Sequence, residues 1–330
     1  DRRQRQMCIR DSFRRLDSIR KSPIYLCTDR AKYFTESMKE TEDLPMSTRY
    51  AFALKHMAEK MPVYISEDEL IVGRVESRPG RCGTMHPEVD GGYINLVGGE
   101  KLCDRSDAAY TVPPEDARVL TEEIAPYWKH KSFPEAYAAM LPEDTHKIIY
   151  GPDKNNIYYQ SGILFVSGNN RSSQNWVQDY EKVLKRGIKN IKEDAQKRLA
   201  AIDRPWEKMT KGVFLEACIT CCDAIVTWAN RYADEAERLA NLAETTEKRR
   251  QELTKIAAIC RKVPEYPAET FQEALQSEWF GYMFTRLEEL VAGSLSLGRL
   301  DQILWPYYEK DIREGRITRD EAVSYTHLTL

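Results

Sequence analysis

The stretch Ser294-Leu-Ser-Leu-Gly-Arg-Leu-Asp-Gln-Ile-Leu-Trp-Pro-Tyr-Tyr-Glu-Lys-Asp-Ile-Arg-Glu-Gly-Arg-Ile-Thr-Arg-Asp-Glu-Ala322 joins a tight loop, a proline-broken aromatic step and a new helix. Gly298 lets the backbone turn where a side chain would clash, and Arg299 and Asp301, two apart, point the same way from an extended segment. Pro306 fixes the backbone before Tyr307 and Tyr308. Tyr308 to Gly315 reads as a short helix closed by a glycine, and Thr318-Arg-Asp-Glu321 has the form of a capping box opening the next one. Beyond it, Ser324-Tyr-Thr-His-Leu-Thr-Leu330 does not read as a continuation of that helix.

Upstream of this stretch the pattern is mostly helical. Thr270 to Glu289 sets Phe271, Ala274, Leu275, Trp279 and Tyr282 on one side, and Glu247 to Cys260 precedes the breaker Val263-Pro-Glu-Tyr-Pro267. From Val213 onward, Phe214, Cys218, Cys221, Ile225, Trp228, Tyr232, Ala236 and Leu239 recur every three or four residues, and Asp179 to Ala201 is a charged amphipathic helix. Nearer the start, Phe13 to Ile19 begins a helix that Pro23 interrupts. Thr28 to Glu40 turns Ala31, Phe34, Thr35 and Met38 to one face, and Ser47 to Lys60 stops before Pro62. Val63 to Gly73 suggests two short extended pieces around an acidic turn. Residues 74–107, rich in Gly, Pro and charge, read as a long ordered loop.

The 330 residues are 42% hydrophobic and 31% charged with a net charge of −3, and no apolar run approaches a membrane span. Lysines and arginines alternate with acids, so no basic stripe points to nucleic acid. Eight scattered cysteines suit a reducing cytoplasm better than a disulfide framework. Cys218, Cys221 and Cys222 lack a second pair or a nearby histidine, which favours buried helix cysteines over a metal site.

Several blocks together resemble one family. They are Cys27-Thr-Asp-Arg-Ala31 with Thr35-Glu36, Pro62-Val-Tyr-Ile-Ser-Glu-Asp-Glu-Leu-Ile-Val-Gly73, Asp179-Tyr-Glu-Lys-Val-Leu184 with Gly187, and Asp223-Ala-Ile-Val-Thr-Trp-Ala-Asn-Arg-Tyr-Ala233. Ser296-Leu-Gly-Arg-Leu-Asp-Gln302 and Pro306-Tyr-Tyr-Glu-Lys-Asp311 complete the series. In this order they are similar to the glycyl radical enzymes of the pyruvate formate-lyase-like family, in the dehydratase, decarboxylase and lyase branch. The resemblance implies a mainly α region forming the amino-terminal helical part and first strands of a ten-stranded β/α barrel. It also implies a glycyl radical that passes to a cysteine, whose thiyl radical takes hydrogen from a small organic substrate before elimination or cleavage of a C–O, C–N, C–S or C–C bond.

The family's Gly-Cys-x-Glu and Arg-Val-x-Gly loops do not occur here, so the chain is expected to be an amino-terminal fragment that is inactive alone and prone to aggregate. Residues 1–12 and 323–330 read as adapter-derived tails around a natural region of 13–322. The resemblance further implies no bound organic cofactor, an S-adenosylmethionine iron–sulfur activating enzyme as partner, a homodimer, and a cytoplasmic place that includes bacterial microcompartments. Rival readings are pyruvate formate-lyase proper and a non-catalytic helical scaffold.

Two stretches are candidates for a substrate pocket. Ala292-Gly-Ser-Leu-Ser296 aligns with a family Gly-His-Ser-x-Ser, where Ser294 or Ser296 bonds a hydroxyl or carboxylate, or else merely caps the turn before Gly298. Gly293 in place of the histidine speaks against a polyol dehydratase pocket. The other is Tyr158 to Ser161 with Ser167 to Trp176, where Tyr159, Asn169, Arg171 and Gln174 offer donors. Arg171 suits a carboxylate or sulfonate, although an ordinary polar turn has the same composition.

Overall fold

Asp29–Glu40 (α1) buries Ala31, Phe34, Thr35 and Met38, the stripe its spacing predicts. The computed structural model describes residues 20–78, 80–89, 109–150, 175–288 and 294–327; the expected helix at 13–19 lies outside them. Ahead of α1, Ile24–Cys27 (β1) forms the centre of a parallel sheet, and Met46–Lys60 (α2) packs behind α1. Arg81–Thr84 (β2) and Tyr110–Thr111 (β3) flank β1 in the order β2-β1-β3, with Ile24 opposite Arg81 and Tyr110. The loop expected over 74–107 therefore contains a strand. Strands of two to four residues carry too little alternation to be seen in a sequence. Helical turns also cover 114–128, 133–139 and 143–150.

The second half is a set of stacked helices. Tyr180–Ala200 (α3) is not continuous as expected: Gly187, at φ 71°, breaks it, and a Cβ there would lie 2.5 Å from the Glu265 carbonyl oxygen. The 263–267 breaker docks in that gap, its Pro264 and Glu265 carbonyls accepting from Ile188 and Lys189 N–H at 2.9 and 3.0 Å. Val213–Ala240 (α4) sets Trp228, Ala229, Tyr232, Ala233 and Ala236 against α2 and against Leu253, Ile256 and Ala257 of Glu247–Lys262 (α5). Its expected stripe is only partly buried: Phe214 is 61% exposed and Cys218, Cys221 and Cys222 are half-buried. Pro205–Ala240 is long and apolar enough to meet the length and composition of a membrane span, contrary to the sequence reading, but its last four turns are core.

Phe271–Glu288 (α6) is buried on most sides, with Gln272, Gln276, Ser277 and Glu278 among its buried residues. No strand forms in 63–73. Instead Gln276 clamps that segment, its amide accepting from Val72 N–H at 2.8 Å and donating to Val72 O at 2.6 Å. Trp279 Nε1 donates to Gly73 O at 2.8 Å, and Tyr232 OH accepts from Arg74 N–H at 2.9 Å. An amide side chain thus satisfies a buried backbone that a neighbouring strand would otherwise have to pair. Two more short strands, Asn175–Val177 (β4) and Ser294–Ser296 (β5), run parallel to each other.

Leu300–Arg313 (α7) runs straight through Pro306, where the sequence suggests a break with a helix from Tyr308. A mid-helix proline costs about 3 kcal/mol, and the packing of Leu304 with Leu300, Tyr307 and Tyr308 in one cluster offsets it. Asp311, 1% exposed, accepts from Phe271 N–H at 2.8 Å and so places a carboxylate at the start of α6. Gly315 closes α7 at φ 69°. The capping box forms as expected: Thr318 N–H donates to Glu321 Oε2 at 2.7 Å and Glu321 N–H to Thr318 Oγ1 at 3.2 Å. Arg319–His327 (α8) then continues past Ser324, against the propensity reading, because Ala322 and Tyr325 are buried and Tyr325 OH meets Lys255 Nζ at 3.2 Å.

Candidate functional site

The β4–β5 pair is where the two stretches singled out in the sequence meet. Asn175 lies opposite Ser294, Trp176 opposite Leu295 and Val177 opposite Ser296. The strands are parallel, so Asn175 and Ser294 lie at the same end of the pair. Both stretches were expected as loop up to Trp176 and Ser296; their last residues are strand. Tyr159, Asn169, Arg171 and Gln174 lie outside the described residues. Ser294 opens β5.

Ser296 is exposed, and its Oγ accepts from Gly298 N–H at 3.1 Å. That bond is the turn-capping role, and it leaves the hydroxyl proton free to donate. Gly298, at φ 73°, could not be replaced easily, since a Cβ would meet Val177 Cγ1 of β4 at 3.0 Å. Arg299 and Asp301 do point the same way, pairing with each other at 2.9 and 2.7 Å. Both are well exposed, so the pair contributes little.

What holds this strand pair is a set of residues the sequence reading passed over. Gln178, just after β4, donates a short hydrogen bond to Thr285 of α6. Arg30 of α1 reaches the carboxyl end of that helix, donating from Nε to Leu287 O and from Nη2 to Glu288 O, both at 3.0 Å. These are carbonyls of the last turn, where a cation is favoured. The same guanidinium grips Glu88 with two bonds of 2.9 and 2.5 Å. Arg30, Glu88 and His86 are 0%, 5% and 0% exposed.

Burial alone would raise the Glu88 carboxyl, but the Arg30 charge, together with the charge of His86 and the hydrogen bonds of His86 and Arg30, outweighs it and holds the acid down at about 2. Burial, with Arg30 beside it, pushes His86 down to about 4. At neutral pH this is therefore one ion pair next to a neutral imidazole, and it anchors the helix that leads into 289–293. The signal was available: position 30 falls one helical turn before Phe34 on the inward face of α1.

Short parallel strands set among long helices fit a piece of a β/α barrel. A model for pyruvate formate lyase-like proteins matches residues 9–329; the chain belongs to that family. It is 46% identical over 323 residues to the isethionate sulfite-lyase of Oleidesulfovibrio alaskensis, covering 95% of this chain and 38% of that protein. It superposes on a glycyl radical enzyme from Archaeoglobus fulgidus with a TM-score of 0.84 at 35% identity, covering 96% of this chain and 39% of the other. A hydroxyproline dehydratase from Clostridioides difficile, solved with trans-4-hydroxy-L-proline bound, gives 0.85 at 26% identity, with 96% and 39% covered. The chain thus spans under two fifths of these relatives, the amino-terminal part of the barrel.

Proposed function

We propose that the chain forms the substrate-facing amino-terminal part of a glycyl radical lyase that cleaves the C–S bond of isethionate. The observation that carries this is the parallel pairing of Asn175–Val177 with Ser294–Ser296, the described ends of the polar stretch and of the serine stretch. Arg171 would hold the sulfonate through paired N–H donors, with Asn169, Gln174 and Tyr159 completing the anion contacts. Ser294 or Ser296 would donate to the hydroxyl. The 46% identity to an isethionate sulfite-lyase, against 26% to the hydroxyproline dehydratase, favours a sulfonate.

The rest of the polypeptide supplies a thiyl radical that takes the hydrogen atom from the hydroxyl-bearing carbon. The hydroxyl proton and the C–S electron pair then depart as hydrogen sulfite. The remaining carbon radical takes a hydrogen atom back, leaving acetaldehyde. An S-adenosylmethionine iron–sulfur activating enzyme installs the radical without oxygen, and the protein works as a homodimer in the cytoplasm or a microcompartment.

The test is anaerobic assay of the protein at the full length of its relatives, after activation, with isethionate, trans-4-hydroxyproline and propane-1,2-diol. Sulfite and acetaldehyde in equal amounts from isethionate alone, lost in Arg171→Leu, is the expected result. Dehydration of either of the other substrates with no sulfite would contradict it.

A further inference from the structure

Where β4 gives way to α3, residues 178–180 lie along one stripe of α6, made by Glu278, Gly281, Tyr282 and Thr285 at spacings of three and four. Gln178 donates its short bond to Thr285, whose Oγ1 donates in turn to Gly281 O at 3.0 Å. Gly281 leaves room for the crossing: a Cβ there would lie 3.6 Å from Tyr180 Cε1 and 3.8 Å from Gln178 Oε1. Tyr180 is buried, and its N–H donates to Gln178 O at 2.9 Å, which closes a tight turn seated on the helix.

The polar ends at this junction are not satisfied. Tyr180 OH and both carboxyl oxygens of Glu278 are buried without a hydrogen-bond partner among the described residues. A carboxylate held there would carry the full cost of its lost hydration. The groups around it do not change this. Tyr180 on α3 and Tyr282 on α6 are phenols, and Tyr180 is close enough for the acid's charge to raise its hydroxyl further. On the α7 side Asp301 is committed to Arg299 and Tyr308 presents a ring, while Glu181 and Lys185, further along α3, pair with each other. Burial therefore raises Glu278 to about 8 with no charge opposing it. Ionised, the acid has to reach water, and the backbone beside it that is held to α6 by one side-chain bond is the 178–180 turn.

We propose that residues 178–180 form a pH-operated latch on α6: the turn stays seated while Glu278 is neutral and lifts when that acid ionises, which releases the hold of α6 on β4. The linkage has one sign. The lifted state returns the acid to water and to its ordinary 4.5, whereas the seated state holds it at about 8. Lifting is therefore favoured about tenfold more for each pH unit between those values and levels off above the higher one. What the latch does for catalysis rests on the reading of β4–β5 as part of the substrate pocket; the latch itself does not.

Hydrogen exchange read by mass spectrometry tests it on the protein at the full length of its relatives. Rates over 175–183 are compared between the unsubstituted protein and Glu278→Gln, an isosteric change whose use as the reference cancels the intrinsic pH dependence of exchange. The ratio should rise about tenfold per pH unit up to about pH 8 and stay level beyond it. Thr285→Val, which removes the acceptor of Gln178, should speed exchange over 175–183 at every pH. A ratio that does not change with pH, or no effect of Thr285→Val, would overturn the latch. So would peptides over 253–260 of α5 or 300–308 of α7 that open as readily as 175–183 after correction for sequence, because the opening would then be global or on the other side of the acid. In the activated enzyme, kcat/KM for isethionate should fall above pH about 8 and be retained in Glu278→Gln. The expected exchange with identical activity profiles in the two proteins would uphold the latch and remove β4–β5 from the substrate pocket.

Discussion

Glu88 and Glu278 are the same residue buried to similar depth, 5% and 3% exposed, and they lie at opposite extremes of acidity. Glu88 meets a guanidinium with both oxygens and stays ionised down to about pH 2; Glu278 meets no donor among the described residues and holds its proton up to about pH 8. Burial disfavours charge in both. The difference is the partner: one acid is paired and the other has no donor among the described residues. The Arg30–Glu88 pair ties α1 to the end of α6.

The largest effect should come from breaking the finished pair. Arg30→Met leaves Glu88 charged and unpaired, and removing one partner of a buried pair costs about 3–5 kcal/mol, to be read as a lower midpoint in urea unfolding at pH 7. The opposite acid should respond in the opposite sense. Glu278 has a folded pKa raised above its ordinary 4.5, so the folded state binds the extra proton and stability falls as pH rises from 4.5 toward 8. Glu278→Gln should therefore stabilise the chain at pH 9 by up to about 5 kcal/mol, since a tenfold change in proton affinity corresponds to about 1.4 kcal/mol, with little change at pH 4.5.

On the acid side the signs reverse. His86 is depressed from 6.5 to about 4 and Glu88 from 4.5 to about 2, so the unfolded chain takes up protons first. Stability is then lost as pH falls, through His86 between 6.5 and 4 and through Glu88 between 4.5 and 2; thermal unfolding of Glu278→Gln, free of the opposing acid, should display this limb alone. Smaller again, Gln276→Leu orphans the N–H and C=O of Val72, costing about 1–3 kcal/mol and exposing that amide to hydrogen exchange. Ser296→Ala, at a surface turn, should change stability by no more than about 0.5 kcal/mol.

The helices were legible in the sequence because their stripes repeat over several turns: the α1 face and the Thr318–Glu321 box are where spacing places them. What depends on contacts between distant segments was hidden. The strands are only two to four residues long, the break at Gly187 exists because the 263–267 segment docks against it, and α7 and α8 persist through unfavourable residues because Leu304, Ala322 and Tyr325 are buried. Of the candidate site, the two polar stretches were legible as composition, and the pairing of Asn175–Val177 with Ser294–Ser296 was not. Glu278 was in plain view as an acid one turn from Ala274 and two from Phe271, on the apolar side of α6. An acid at such a position reads as an interruption of the stripe until its surroundings are known.

The most direct test of the contrast is infrared difference spectroscopy of the folded chain at pH 6.5, comparing the carboxylic acid C=O stretch with that of Glu278→Gln. The account predicts a protonated-acid band that vanishes in Glu278→Gln and survives in Glu88→Asp. Absence of any such band in the unsubstituted chain, with both acids ionised, would contradict it.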